Sequence, residues 1–277
     1  MLKDIVVLVG DNGAEEPALK LGLDLAAARG AYLNVVVCGG VPLYQEYLLG
    51  TVIYEAYQSE VERQTKKARA AAEAIEAAMG KAGVSGEVRT LVVDVDILPM
   101  DAVVHSRYAD MVLVSARAAY PDGRFWDRLV QTVLFHAGRP ILIVPEGAKL
   151  PLAKVAIAWN ASREAIRAVH DGMGLITQAT DVNVVLVDPA PSDDGHGAEP
   201  GADLAAHLAR HVDTVNVHRI PSAGRALGQA LQQFAVDIGC DVMVMGAYGH
   251  SRMWEMLLGG ATRDVLLDTR LPLLISH

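Results

Sequence analysis

The glycines Gly246, Gly249, Gly259 and Gly260 carry the most specific chemical signal in the sequence. They follow the apolar run Val242 to Met245 and precede the amphipathic run Ala261 to Leu267. The segment therefore reads as strand, glycine loop, helix start. That arrangement suits a phosphate chain: glycines let the backbone come close to the anion, and free N–H groups at the helix start point at it. No Gly-x4-Gly-Lys-Ser/Thr run occurs, which excludes a P-loop ATPase. His207 and His211 stand four residues apart and His218 follows, a spacing that can present two imidazoles to a metal. Leu208, however, stands where a metalloprotease motif has glutamate, so the sequence favours a solvated polar helix face and no metal site. His250-Ser251 has no nucleophile elbow or placed acid, and no catalytic residue is assigned. Arg252 and Arg263 flank the loop, with surface charge the favoured role.

The glycine spacing resembles the nucleotide loop of the universal stress protein family, Gly-x2-Gly-x9-Gly-(Ser/Thr). Gly246, Gly249 and Gly259 match it. Gly260 departs from the family's hydroxyl residue, and Thr262 fits a second hydroxyl often found two positions later. The resemblance implies an adenine nucleotide, ATP or AMP, with or without Mg²⁺. Asn160, where the family usually has an aspartate, would meet adenine or ribose, and Trp159 shields the base or is an ordinary packed aromatic. Leu186 and Val187 would offer backbone groups to the adenine edge. Gly246, Tyr248 and Gly249 would line ribose and phosphates, while Gly259, Gly260, Ala261 and Thr262 would donate N–H groups. The implied protein is a cytoplasmic sensor or protective factor in stress response, with slow or absent hydrolysis because no base is in view. The alternative is a dimeric interaction module of the same fold whose pocket takes no nucleotide, which Asn160 and Gly260 keep open.

The whole-chain properties agree with a soluble α/β protein. The chain has 277 residues, 52% of them hydrophobic, and a mean hydropathy of +0.25. No window reaches 18 uninterrupted apolar residues, so no membrane span is expected. The first residues are strand-like rather than a signal peptide. Cys38 and Cys240 lie far apart at strand positions and suggest no disulfide framework. A net charge of −9 and a pI near 5.4 argue against broad nucleic-acid binding.

Strands and helices alternate, and each strand is apolar on both faces, which predicts parallel sheets covered on both sides. Strands are expected at 5–9, 32–37, 87–93, 111–114 and 141–144, with a long helix over 44–82. The second half repeats the plan, with strands at 155–158, 182–187, 214–218, 242–245 and 273–275. Its helices are expected after Ser162 and over 203–211, 226–238 and 262–268, with a mobile loop over 188–201. Ala109-Asp-Met-Val-Leu-Val parallels Cys240-Asp-Val-Met-Val-Met, and Arg139-Pro-Ile-Leu-Ile parallels Leu271-Pro-Leu-Leu-Ile. Two tandem doubly wound five-stranded domains, 1–148 and 153–277, account for the chain. The first has Ser115 at the place of Gly246 and Asp127-Arg128 at that of Gly259-Gly260, so it is expected to bind no nucleotide. The last strand of each half follows a proline and is short and apolar, which predicts an internal pseudo-dimer across these strands. A further homodimer would use the long helix.

Overall fold

The computed structural model describes residues 2–10, 13–41, 51–191, 195–247 and 260–277, without the side chains of 51–54. It divides into two compact units, Leu2–Arg139 and Pro140–His277. No described helix is long and apolar enough to cross a membrane.

In the first unit the strands are β1 (Asp4–Val9), β2 (Tyr32–Val41), β3 (Gly86–Asp94) and β4 (Met111–Ser115). The helices are α1 (Pro17–Arg29), α2 (Thr51–Ala82), α3 (Leu98–Ser106) and α4 (Gly123–His136). The sheet order is β3-β2-β1-β4, with β1 parallel to both β2 and β4. The inner strands β1 and β4 are buried along nearly their whole length, as a sheet covered on both faces requires. The long helix α2 packs on β2 and β3 through Gln64, Ala68, Ile75 and Met79, all buried. Residues 44–50 of the expected long helix lie outside the described residues. The strand expected to stop before Gly39-Gly40 continues to Val41, because β3 stays in register with it as far as Val41 opposite Asp94.

The second unit contains β5 (Ile141–Val144), β6 (Lys154–Ala158), β7 (Asp181–Val187), β8 (Val215–Ile220), β9 (Val242–Gly246) and β10 (Leu273–Ser276). Its helices are α5 (Arg163–Ile176), α6 (Ala202–Leu208), α7 (Leu227–Asp237) and α8 (Gly260–Leu267). The order is β5-β10-β9-β6-β7-β8. All neighbours run parallel except β5, which lies antiparallel to β10 with Leu142 opposite Leu274. The last strand of the first repeat thus groups with the second unit. Ser162 caps α5 by accepting from Ala165 N–H at 3.1 Å. The helix expected over 203–211 ends at Leu208, because His211 N–H turns back to Leu208 O at 2.8 Å in a tighter final turn.

The repeated Ala-Asp and Cys-Asp pairs have a matching structural use. Asp110 accepts from the N–H groups of Lys3 and Asp4 at 2.6 and 3.1 Å and donates its own N–H to Asp4 O. Asp241 does the same at Ala153 and Lys154, at 3.0 and 2.8 Å, and donates to Lys154 O. Each aspartate ties the start of the first strand of its repeat to the start of the fourth. Asp241→Ala leaves two strand-entry N–H groups without their acceptor and is expected to lower stability by about 1–3 kcal/mol. Urea unfolding checks this, and a loss below about 0.5 kcal/mol would show that water replaces the carboxylate fully.

Candidate functional site

In an open parallel sheet, ligands bind beyond the carboxyl ends of the strands where the strand order reverses. In the second unit that point lies between β6 and β9, whose ladder runs as far as Ala158 opposite Met245. Trp159, Asn160 and Gly246 follow directly. Trp159 is half-buried and its N–H donates to Val185 O at 2.9 Å. Asn160 is exposed, and its Oδ1 accepts from Ser162 N–H at 3.2 Å. The turn is completed by Ala161 at φ 57°.

The neighbouring strand overhangs this crevice. The β6–β7 ladder stops at Ala158 opposite Val185, while the β7–β8 ladder continues to Val187 opposite Ile220. Leu186 and Val187 therefore extend past the end of β6, with the Leu186 side chain fully buried. Asp188 follows at φ 46°, held by Ser222 N–H on its carboxylate at 3.1 Å. That hydrogen bonding keeps the Asp188 carboxyl below its ordinary range.

Gly246 has a packing reason of its own. A Cβ there would lie 2.5 Å from both the Ala165 nitrogen and the Glu164 carbonyl carbon, so β9 meets the first turn of α5 backbone to backbone. Glu164 is 8% exposed and takes Arg163 Nη2 at 3.2 Å. Burial pushes its carboxyl upward, but its backbone hydrogen bond, Arg163 and His277 outweigh burial and hold it below the usual range. His277 donates from Nδ1 to Ala247 O at 3.0 Å, and Ser276 Oγ donates to the Asp171 carboxylate.

Gly260 opens α8, and no described residue lies within 4 Å of where its Cβ would be. Ala261 is half-buried, while Thr262 is 5% exposed and shares the packed face of α8 with Val265 and Leu266. Tyr248, Gly249 and Gly259 lie outside the described residues, as do His250, Ser251 and Arg252.

The first unit has the same switch point, between β1 and β4, and fills it with its own side chains. Glu16, 2% exposed, accepts from Gly10 N–H at 2.6 Å and from Ser115 Oγ at 3.0 Å. Ser115 Oγ in turn accepts from Ala18 N–H at 3.2 Å, and Trp126 Nε1 donates to Ser115 O at 2.8 Å. Tyr120 closes over Gly10, and its buried hydroxyl has no hydrogen-bond partner among the described residues. Burial, with the Glu16 and Cys38 charges behind it, pushes that hydroxyl well above its ordinary value. Beside Gly10 and Cys38 a cavity of about 10 Å³ remains, room for one water at most. Asp127 does not face this point freely. Its carboxylate is paired with Arg117 at 3.0 Å.

Both cysteines are free and buried. Burial first, then Glu16, lifts the Cys38 thiol to about 12, and burial lifts Cys240 to about 11, so neither is a ready nucleophile.

No family model matches the chain, and no curated protein matches it. Among solved structures, a universal stress protein from Archaeoglobus fulgidus DSM 4304 is similar with a TM-score of 0.69 at 16% identity, covering 98% of this chain and 97% of that one. A putative universal stress protein from Pseudomonas aeruginosa UCBPP-PA14 gives a TM-score of 0.61 at 14% identity, covering 99% and 93%. The chain has the universal stress protein fold. A functionally unknown protein, PA1789 from Pseudomonas aeruginosa PAO1, has the same fold at a TM-score of 0.62 and 13% identity, covering 99% and 92%.

Within this universal stress protein fold, the sequence-derived site residues divide into groups. Trp159, Asn160 and Gly246 share the switch point, Leu186 and Val187 overhang it, and Gly260 to Thr262 start α8. Sequence reasoning missed Glu16, because a glutamate before a proline reads as an ordinary exposed helix entry. The available signal was its place at the N-cap of α1, where Ser, Thr, Asp or Asn is usual.

Proposed function

We propose that this chain is a universal stress protein whose second unit binds one adenine nucleotide, ATP or AMP, at the β6–β9 switch point, and that it works in the cytoplasm as a sensor or protective factor. The supporting observation is the contrast between the two switch points. Glu16 bridges the ends of β1 and β4, whereas no described side chain bridges the ends of β6 and β9. Val187 and the Asn160 amide offer donors and acceptors for a base or ribose. The Gly260 end of α8 offers N–H groups for phosphate, with no described residue within 4 Å of where a Gly260 Cβ would be. Asn160 is neutral and supports a Mg²⁺ ion less than an aspartate would, so binding without brisk turnover is expected.

Calorimetric titration with ATP and with AMP is expected to give one nucleotide per chain, weakened by Asn160→Ala. Two equivalent sites, or steady turnover above about 1 s⁻¹, would refute the reading. Gly246 supports a second reading. Its lack of a side chain is required by α5 whatever the ligand, and Thr262 faces the core. No binding of either nucleotide at millimolar concentration would favour a dimeric interaction module without nucleotide.

A further inference from the structure

Helix α3 of the first unit is apolar on two sides. Leu98, Pro99, Ala102 and Val103 are buried, on the side packed against β2, β3 and α4. Ile97, Met100, Val104 and Tyr108, spaced three or four residues apart, line the side that faces solvent. A helix that is apolar all round ordinarily lies inside a protein, yet this side is open. Helix α4 widens the patch. Arg128 of α4 donates to the Asp96 carboxylate at 2.6 Å beside the start of α3, and Arg139, just past α4, donates to Arg107 O at 2.9 Å beside its end. Phe135, in the last turn of α4, is exposed between those two ties.

The five side chains are between 42% and 88% exposed. Together they present on the order of 500 Å² of largely apolar surface, at the upper end of what a monomer shows. A stable interface buries about 800 Å² per partner, with an apolar core and a polar rim, so this patch has the size of such a core. The fold itself does not demand it. Helix α7 likewise joins the third and fourth strands of its repeat, and its outer side carries Gln229, Gln233 and Asp237 beside Val236, with Gln233 Nε2 donating to Asp237 at 2.7 Å.

The charges around the patch are divided by end. Asp94 and Asp101 stand at the start of α3, with Asp96 already held by Arg128, whereas His105, Arg107 and Arg139 stand at its end. A second α3 laid antiparallel brings the acidic start of each helix to the basic end of the other, twice by symmetry, and sets Met100 of one copy near Val104 of its mate. The long helix α2 suits this less, because its outer side carries Glu62, Lys66, Arg69 and Glu73.

We propose that two copies of this chain associate through α3, paired antiparallel about a two-fold axis, with Tyr108 and Phe135 completing the apolar core. The surface uses no residue of the β6–β9 switch point, so it stands or falls apart from nucleotide binding.

Sedimentation equilibrium on the full chain, loaded from about 0.1 to about 100 μM, tests this. The mass is expected to rise from the 29.5 kDa of one chain towards that of two, with a dissociation constant in the micromolar range. Met100→Glu/Val104→Glu, at two exposed positions, is expected to raise that constant at least about 100-fold with unchanged circular dichroism. The milder Met100→Ser/Val104→Ser is expected to weaken pairing in the same direction, and Arg107→Glu to weaken it about tenfold. Lys66→Glu/Arg69→Glu, on α2, is expected to change nothing. A single-chain mass at about 100 μM would overturn the proposal and leave this face to a different protein. So would a dimer that survives both double variants of Met100 and Val104, or one that the α2 variant abolishes, since either places the interface elsewhere.

Discussion

Glu16→Ala is expected to destabilise the first unit by about 3 kcal/mol or more, among the largest losses available to a single polar residue in this chain. The carboxylate accepts from the Gly10 N–H and the Ser115 hydroxyl while 2% exposed. Hydrogen bonds to a charged acceptor contribute roughly 1.5–3 kcal/mol each, and an orphaned buried donor loses about 1–3 kcal/mol of solvation. Alanine leaves the Gly10 N–H facing a void beneath Tyr120 and frees the Ser115 hydroxyl from its acceptor. Ser115 also anchors Ala18 N–H and Trp126, so the disturbance spreads to the starts of α1 and α4. Glu16→Gln keeps one acceptor oxygen and is expected to lose less. Chemical denaturation followed by Trp fluorescence reads both, and a loss under about 1 kcal/mol for alanine would show that the network is replaceable.

Gly246→Ala is expected to be the most disruptive glycine substitution at the candidate site, and Gly260→Ala to be nearly harmless. At Gly246 the added methyl meets the backbone of Glu164 and Ala165 at 2.5 Å, and a helix backbone cannot rotate out of the way as a side chain can. Either β9 or the first turn of α5 must shift, for which overpacking losses of about 1–3 kcal/mol are typical and more is seen. That shift displaces the Asn160–Ser162 turn, so nucleotide affinity is expected to fall together with stability. At Gly260 the methyl meets no described residue within 4 Å, and removing a glycine from a helix is stabilising by up to about 1 kcal/mol. Thermal melting with and without ATP distinguishes the two. If Gly246→Ala melts like the parent chain, the close approach of β9 to α5 is not rigid.

The strands were legible because an apolar run of strand length, bounded by glycine or proline, has few other uses in an alternating α/β chain. The duplication was legible because Asp110 and Asp241 sit at the same place in both copies, and both perform the same backbone task. Ser162 was readable as a cap from its residue type. What lay hidden depends on long-range contact. Glu16 at the start of α1 meets Ser115 at the end of β4, and His170 of α5 meets His207 of α6, ring against ring. No local pattern encodes either meeting. Gly246 was legible as important, but the sequence suggested phosphate as the reason, while the structure adds a demand from helix packing. The end of α6 at Leu208 was missed because a final tight turn keeps the helical spacing of His207 and His211 while changing the hydrogen bonding.

The antiparallel seam between β5 and β10 bears on how such a chain could have changed since its duplication. A strand encoded at the end of one copy covers the sheet edge of the other, register for register from Ile141 to Ile143. Gene rearrangement that cuts between the copies at the proline-containing linker therefore does not yield a finished half. It leaves Leu273–Ser276 as a bare apolar edge, the kind that recruits any available strand. Selection against loss of one copy would then act even where that copy binds nothing. A half that has given up its ligand can still be retained for the strand it lends.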